Sequence, residues 1–129
     1  MPYREMTALI VDDDADVRAF LRTALRSLFS CNLMEASCGD TAVGIYTKNQ
    51  IDLVFLDIQM PGKDGMAILR ELKQTDANAK IVMVSAHGTM DYVTEAIKLG
   101  ASGFILKPFH LQKIKAIVEK LMGPATSPA

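Results

Sequence analysis

Five polar side chains of the types used in metal and phosphoryl chemistry each follow a short apolar run. Asp12 and Asp13 come directly after the first run, and Asp57 ends the third. Ser85 and Lys107 end the fourth and fifth runs. Parallel strands bring their carboxyl ends to one edge of a sheet, so these side chains can converge although they are distant in sequence. Taken singly, each is more often an ordinary strand-end or capping residue, and their joint placement is what favours a functional site.

The chemistry of this set follows from its charges. Three carboxylates in one pocket repel each other, so either one of them retains its proton or a cation joins them. Carboxylate, carbonyl and water oxygens suit a hard cation, Mg²⁺ or Mn²⁺. Lys107 adds a fixed positive charge and Ser85 adds a hydroxyl donor. A carboxylate beside a metal ion, a lysine and a hydroxyl could attack phosphorus and form an acyl phosphate.

The elements that must position these residues are predicted from the apolar pattern. The run 53–56 before Asp57 is typical of a strand covered on both faces, and the chain then turns at Pro61 and Gly62. Strands are predicted at 8–11, 33–36, 53–56, 81–84 and 104–106, and helices near 14–28, 39–48, 64–74, 90–99 and 111–122. This alternation predicts an α/β fold, with a doubly wound parallel sheet and helices on both faces.

The first helix has the clearest periodicity. Asp14 is its expected N-cap, since a carboxylate can accept a hydrogen bond from the first turn. Its apolar face is formed by Val17, Phe20, Leu21, Ala24, Leu25 and Leu28. Three arginines, Arg18, Arg22 and Arg26, are expected on its solvent side.

Composition restricts the class of protein. The 129 residues suffice for about one domain, and 50% of them are apolar, which allows a packed core. No apolar run approaches the roughly 20 residues of a membrane span, and residues 1–7 lack the apolar core of a secretion signal. The net charge of −1 gives no basic footprint for nucleic acid. We therefore expect a cytoplasmic protein with neither membrane nor direct nucleic-acid binding.

The two cysteines, Cys31 and Cys38, have no accompanying histidine cluster. They are expected to be reduced thiols, buried or half-buried. A disulfide between them is an alternative for which the sequence offers no support.

Four short motifs stand at the predicted strand ends. They are Val-Asp-Asp-Asp-x-x-x-Arg at 11–18, Leu-Asp-Ile-Gln-Met-Pro-Gly-x-Asp-Gly at 56–65, Val-Ser-Ala at 84–86 and Gly-Ala-x-Gly-Phe-x-x-Lys-Pro-Phe at 100–109. Together they resemble the receiver domain of bacterial two-component response regulators, the CheY-like family. The resemblance covers about Thr7 to Met122. It implies a (βα)5 flavodoxin-like sheet of strand order 2-1-3-4-5, with a receiver domain at 1–122 and a flexible tail or linker start at 123–129.

The resemblance implies a role for each site residue. Asp57 is the phosphoacceptor, and Mg²⁺ is bound by Asp13 directly, by Asp12 largely through water, by Asp57 and by the backbone carbonyl of Gln59. Lys107 and Ser85 complete the catalytic set, and the bond between Lys107 and Pro108 is expected to be cis. Ser85 and Phe104 are the switch residues. Gln59 and His87 lie where the family tunes the lifetime of the phosphoryl group, although an exposed loop residue is an equally good interpretation of His87.

The resemblance also implies partners. The phosphoryl donor is a sensor histidine kinase or a phosphotransfer protein. The fourth helix, fifth strand and last helix form the face for a downstream effector or an output domain, or for a homodimer. The family is not one of metabolic enzymes, although a receiver catalyses its own aspartate phosphorylation and dephosphorylation.

Three alternatives fit the residues less well than a receiver domain does. An EF-hand loop beginning at Asp12 fails because Val17 replaces the required glycine and Thr23 the closing glutamate. A phosphatase of the haloacid-dehalogenase type needs an Asp-x-Asp-x-Thr/Val motif, and neither Asp12 nor Asp14 begins one. A receiver-like fold that has lost phosphorylation is disfavoured by the complete acidic set.

Overall fold

The computed structural model describes residues 6–60, 62, 64–86 and 90–123. Its strands are β1 (Met6–Val11), β2 (Cys31–Ala36), β3 (Leu53–Asp57), β4 (Ile81–Ser85) and β5 (Gly103–Leu106). Its helices are α1 (Ala15–Leu28), α2 (Gly39–Lys48), α3 (Gly65–Thr75), α4 (Met90–Lys98) and α5 (Leu111–Met122). Strands and helices alternate throughout, as the apolar pattern predicts.

The five strands form one parallel sheet in the order β2-β1-β3-β4-β5, and the predicted strand order is confirmed. The two faces of the sheet are covered by different helices. Successive side chains of a strand point to opposite faces, so Leu9 and Val11 pack with α2 and α3 while Ala8 and Ile10 pack with α1 and α5. Every residue of β3 and β4 is buried, which explains their continuous apolar runs.

Caps and one glycine define the helices that border the site. The side chain of Asp14 accepts a hydrogen bond from the backbone N–H of Asp16 at 2.9 Å and caps α1, as expected. Asp64 caps α3 in the same way, with the N–H of Ala67 at 2.9 Å. Gly100 follows α4 with a φ of 100°, a conformation that other residues rarely adopt. None of the helices in the described ranges is long and apolar enough to cross a membrane.

Several details differ from the sequence-based expectations. Strands β1 and β2 each begin two residues earlier than predicted, because Met6 pairs with Cys31 and Thr7 with Asn32 along the parallel ladder. Phe20 is not part of the buried face of α1, since 45% of its surface is exposed and its ring stacks on that of Phe109. Among the described residues Cys31 and Cys38 form no disulfide, and Cys38 is exposed rather than buried or half-buried.

The arginines of α1 are a further correction. Arg18 and Arg22 were expected in solvent, but both are half-buried and bind Glu35 of β2. The physical reason is that β2 lies beside β1 at this end of the sheet, which brings an acidic strand residue against the first two turns of α1. Arg26 is exposed, as expected.

Candidate functional site

Among the described residues, the predicted site residues other than Phe104 meet at the carboxyl edge of the sheet. Asp57 and Ser85 are the last residues of β3 and β4, and Asp12 follows β1. All three side chains are buried, with 4%, 0% and 2% of their residue surfaces exposed, whereas Asp13 is exposed. Buried polar side chains at the end of a parallel sheet require partners, and the partners define the site.

Three carboxylates converge at this edge. Oxygen atoms of Asp12, Asp13 and Asp57 all lie within 4.8 Å of one another. Burial and the neighbouring charge of Asp12 raise the pKa of Asp57 to about 6, although the ammonium of Lys107 acts in the opposite direction. The pocket thus concentrates negative charge that favours the arrival of a proton or a cation. Three carboxylates, two of them buried and one open to solvent, match the oxygen ligands and partial hydration that Mg²⁺ prefers.

Lys107 offsets part of this charge. Its ammonium lies 3.1 Å from Oδ2 of Asp12 and 3.7 Å from Oδ1 of Asp57, so it bridges the two buried carboxylates. The residue follows β5 directly, and the backbone N–H of Lys107 donates to the carbonyl oxygen of Ser85 at 2.8 Å. The peptide bond to Pro108 is cis, as the resemblance implied.

Asp12 is held through both its backbone and its side chain. Its N–H donates to the carbonyl oxygen of Ala36 at 3.1 Å, and its Oδ1 accepts from the N–H of Asp14 at 2.9 Å. Its own carbonyl oxygen accepts from Nη1 of Arg18 at 2.7 Å. Together with the ion pair to Lys107, these contacts fix the position of the Asp12 carboxylate in the pocket.

An ion pair between Arg18 and Glu35 stabilises the arginine that binds Asp12, and the sequence did not predict it. Nε of Arg18 donates to Glu35 at 3.2 Å, and Nη1 of Arg22 donates to the other carboxylate oxygen at 2.6 Å. Partial burial acts to raise the pKa of Glu35, but the hydrogen bonds and charges of the two arginines outweigh it and hold that pKa below its usual value. The sequence contained a signal for this contact. Two arginines lie four residues apart on one face of the helix, and the next predicted strand contains an acidic residue.

Ser85 and Gln59 meet across the mouth of the pocket. Oγ of Ser85 donates to Oε1 of Gln59 at 3.1 Å, and the backbone N–H of Gln59 donates to Oδ1 of Asp57 at 3.3 Å. The side chain of Gln59 is exposed, although its partner Ser85 is buried. His87 lies outside the described residues, as does Pro61 of the predicted turn. Gly62 of that turn is described and has a φ of 82°.

Gly65 brings the start of α3 against the end of β3. Its N–H donates to the carbonyl oxygen of Ile58 at 2.7 Å. A Cβ atom at this position would lie 2.2 Å from the carbonyl oxygen of Asp57 and 2.6 Å from Cα of Ile58. A glycine is therefore required for this close approach, which positions the backbone that carries Asp57.

Phe104, the predicted switch aromatic, lies on β5 away from the acidic pocket. Its ring is half-buried and lines a surface groove of about 430 Å³ between α4 and α5. Val93 and Ile117 form apolar parts of the groove, and Lys113 and Lys120 belong to its lining. The structure thus separates the two groups of predicted residues, with the carboxylates at the sheet edge and Phe104 on a neighbouring face.

Comparisons with known proteins agree with this geometry. The family model of the response regulator receiver domain matches residues 8–119. The chain is 40% identical over 114 residues to the chemotaxis protein CheY of Bacillus subtilis, covering 88% of this chain and 95% of that protein. It is 35% identical over 114 residues to sporulation initiation phosphotransferase F of the same organism, with 88% and 91% covered.

A solved structure extends the likeness to three dimensions. The match is to a chain in the crystal structure of the CheX-CheY-BeF3-Mg²⁺ complex from Borrelia burgdorferi. That chain is similar with a TM-score of 0.85 at 34% identity, and the alignment covers 89% of this chain and 87% of the other. Sequence and fold agree over nearly the whole length, and the chain belongs to the response regulator receiver family.

Proposed function

We propose that this receiver accepts a phosphoryl group on Asp57 in a Mg²⁺-dependent reaction and then changes its partner-binding surface. The observation that carries the proposal is the convergence of three carboxylates within 4.8 Å, two of them bridged by Lys107. Membership of the receiver family supports phosphorelay signalling rather than metabolism as its setting. The donor is the phosphohistidine of a sensor histidine kinase or of a phosphotransfer protein.

The transfer uses the ionised form of Asp57. One of its carboxylate oxygens attacks phosphorus, the O–P bond forms, and the P–N bond to the donor imidazole breaks. The leaving imidazole keeps the electron pair of that bond and takes up a proton from solvent. A carboxylate with a pKa of about 6 is largely ionised at neutral pH, so Asp57 is available as a nucleophile.

The other residues of the pocket hold charge in place. Asp13, Asp57 and the backbone carbonyl of Gln59 would hold Mg²⁺, with Asp12 binding largely through water, and the ion would supply positive charge that neutralises phosphoryl oxygens. Mn²⁺ would suit the same oxygen ligands. Lys107 already contacts Asp57 and is close enough to bind a phosphoryl oxygen on it. The structure from Borrelia burgdorferi contains BeF3 and Mg²⁺, a combination that this donor set also suits.

The signal leaves through a second face. Ser85 donates to the new phosphoryl oxygens, the loop after β4 moves inward, and the ring of Phe104 turns into the space that is vacated. The altered surface comprises α4, β5 and α5, where the groove beside Phe104 is available to an effector, an output domain or a second copy of the chain. The change is a population shift between two conformational states, because phosphorylation favours the state that binds the phosphoryl group more strongly.

The same proposal covers the organisation of the chain. Residues 1–122 form the receiver domain and 123–129 a tail or the start of a linker, although 1–5 and 124–129 lie outside the described residues. The protein acts in the cytoplasm, where its phosphoryl donors present their histidines, and it binds neither membrane nor nucleic acid directly.

Acetyl phosphate tests the proposal. With Mg²⁺ the protein should acquire one phosphoryl group, and mass spectrometry after borohydride reduction should locate it at Asp57. Asp57→Asn and addition of EDTA should each abolish labelling. Asp14→Asn is the matched control, because it removes an acidic charge from the neighbouring cap while asparagine caps a helix equally well. Labelling of equal intensity in Asp57→Asn would place the acceptor elsewhere.

A further inference from the structure

The hydrogen bond between Ser85 and Gln59 joins two residues with opposite environments. Ser85 is completely buried at the end of β4, whereas the side chain of Gln59 is exposed. The bond runs from Oγ of Ser85 to Oε1 of Gln59 at 3.1 Å. The backbone of Gln59 separately contacts the proposed phosphoacceptor, through its N–H and Oδ1 of Asp57 at 3.3 Å. Gln59 therefore spans the acceptor carboxylate and the switch hydroxyl.

We propose that the Gln59 side chain is a latch that holds the Ser85 hydroxyl away from the phosphoryl group until phosphorylation displaces it. This inference rests on the proposed function and adds a residue that sets the balance of the switch. A serine hydroxyl has one proton, so it can donate fully either to the Gln59 amide oxygen or to a phosphoryl oxygen on Asp57. The two acceptors compete for that proton.

The competition has a definite direction. A hydrogen bond to a phosphoryl oxygen is charge-assisted and is stronger than one to a neutral amide. Phosphorylation therefore displaces Gln59, but the affinity gained is the difference between the two bonds rather than the whole of the new one. Removal of the competing acceptor should make the phosphoryl-bound state easier to reach. This role belongs to the amide side chain and is separate from the proposed contact of the Gln59 carbonyl with Mg²⁺.

Beryllofluoride provides the test because it binds to an aspartate carboxylate as a stable substitute for the phosphoryl group. Its affinity is measured at saturating Mg²⁺ by backbone NMR shifts, after the Mg²⁺ affinity of each variant has been determined. Gln59→Met removes the acceptor while keeping a side chain of similar length. We expect roughly two- to tenfold tighter beryllofluoride binding, corresponding to the net strength of one neutral hydrogen bond. Gln59→Ala should change the affinity in the same direction.

A double-mutant cycle identifies the partner. Ser85→Ala should weaken beryllofluoride binding, because the donor is lost. In that background Gln59→Met should have no further effect, because there is no hydroxyl to release. Gln74→Met is the matched control, because it makes the same change at an exposed position in the last turn of α3. This variant should bind beryllofluoride with the affinity of the parent.

The outcomes separate the latch from the proposed function. Equal affinity of parent and Gln59→Met would overturn the latch alone. Weaker binding by Gln59→Met would also overturn it, since the amide would then assist the phosphoryl group. A gain that persists in Ser85→Ala would show that Gln59 acts on something other than Ser85. Failure of the parent to bind beryllofluoride, as expected for Asp57→Asn, would overturn the proposed function and the latch with it.

Discussion

The acidic pocket should destabilise the metal-free fold, and Asp57→Asn should relieve this cost. Burial and the charge of Asp12 raise the pKa of Asp57 from 3.8 to about 6. A difference of roughly two units, at about 1.4 kcal/mol each, sets an upper limit of about 3 kcal/mol on the cost of ionising Asp57 in the folded state. Allowing for solvent screening at this open edge, we expect the variant to gain about 1–3 kcal/mol in free energy of unfolding.

The sign of the pH dependence follows from linkage. Above pH 7 Asp57 is ionised in both folded and unfolded chains, and the folded state bears the full penalty. As the pH falls through about 6, the folded state takes up a proton that the unfolded state, with a pKa near 3.8, does not bind. The penalty therefore disappears progressively between about pH 6 and 4. The advantage of Asp57→Asn should be largest at pH 8 and close to zero at pH 4.

Urea unfolding in EDTA, followed by circular dichroism at several pH values, measures this difference. Lys107→Met should enlarge the gain from Asp57→Asn, because the cation that offsets the Asp57 charge is then absent. Asp14→Asn is the control and should change the free energy of unfolding by less than about 0.5 kcal/mol, because the side chain of Asp14 is exposed and asparagine preserves the helix cap. If Asp57→Asn were no more stable than the parent at pH 8, or if its advantage did not vary with pH, the electrostatic reasoning would be refuted.

Two further predictions concern the backbone around the pocket. Gly65→Ala should lower the free energy of unfolding by at least about 2 kcal/mol and slow acetyl phosphate labelling, because its Cβ would displace the Asp57 carbonyl. Gly44→Ala, in open space on α2, should instead raise the free energy of unfolding by up to about 1 kcal/mol. Equal changes in the free energy of unfolding for the two glycine variants would contradict the steric argument. Arg18→Met should cost about 1.5–3 kcal/mol in the same assay through its lost charge-assisted hydrogen bonds. Arg26→Met should change stability by less than about 0.5 kcal/mol, and a similar loss there would show that Arg18 has no special role.

The strand ends were predictable because their signal is local. Leu53–Asp57 and Ile81–Ser85 are buried on both faces, so each is a short apolar run ended by one polar residue, whatever lies around it. Parallel topology then brings the polar ends together without any knowledge of loops. The sequence could therefore predict that Asp57 lies close to Asp12 and Asp13.

Other features depend on neighbours that are distant in sequence. Periodicity places Arg18 on the polar side of α1, and only the position of β2 shows that Arg18 binds Glu35. Phe20 fits the apolar stripe, yet it lies at the margin of that stripe, where its ring stacks on Phe109. The bond between Ser85 and Gln59 depends on the direction of a loop side chain, which no periodicity specifies.

The hydrogen bonds divide the site into a rigid half and an exchangeable half. On the side of α1, Asp12 is tied to β2 through Ala36, to the helix cap through Asp14 and to α1 itself through Arg18. A shift of Asp12 would have to break several of these bonds together. On the side of β4, the described bond between Ser85 and an exposed side chain can exchange for a phosphoryl oxygen without loss of the fold. In the proposed function, a new charge on Asp57 therefore acts through Ser85 on β4, which lies beside β5, the strand that contains Phe104.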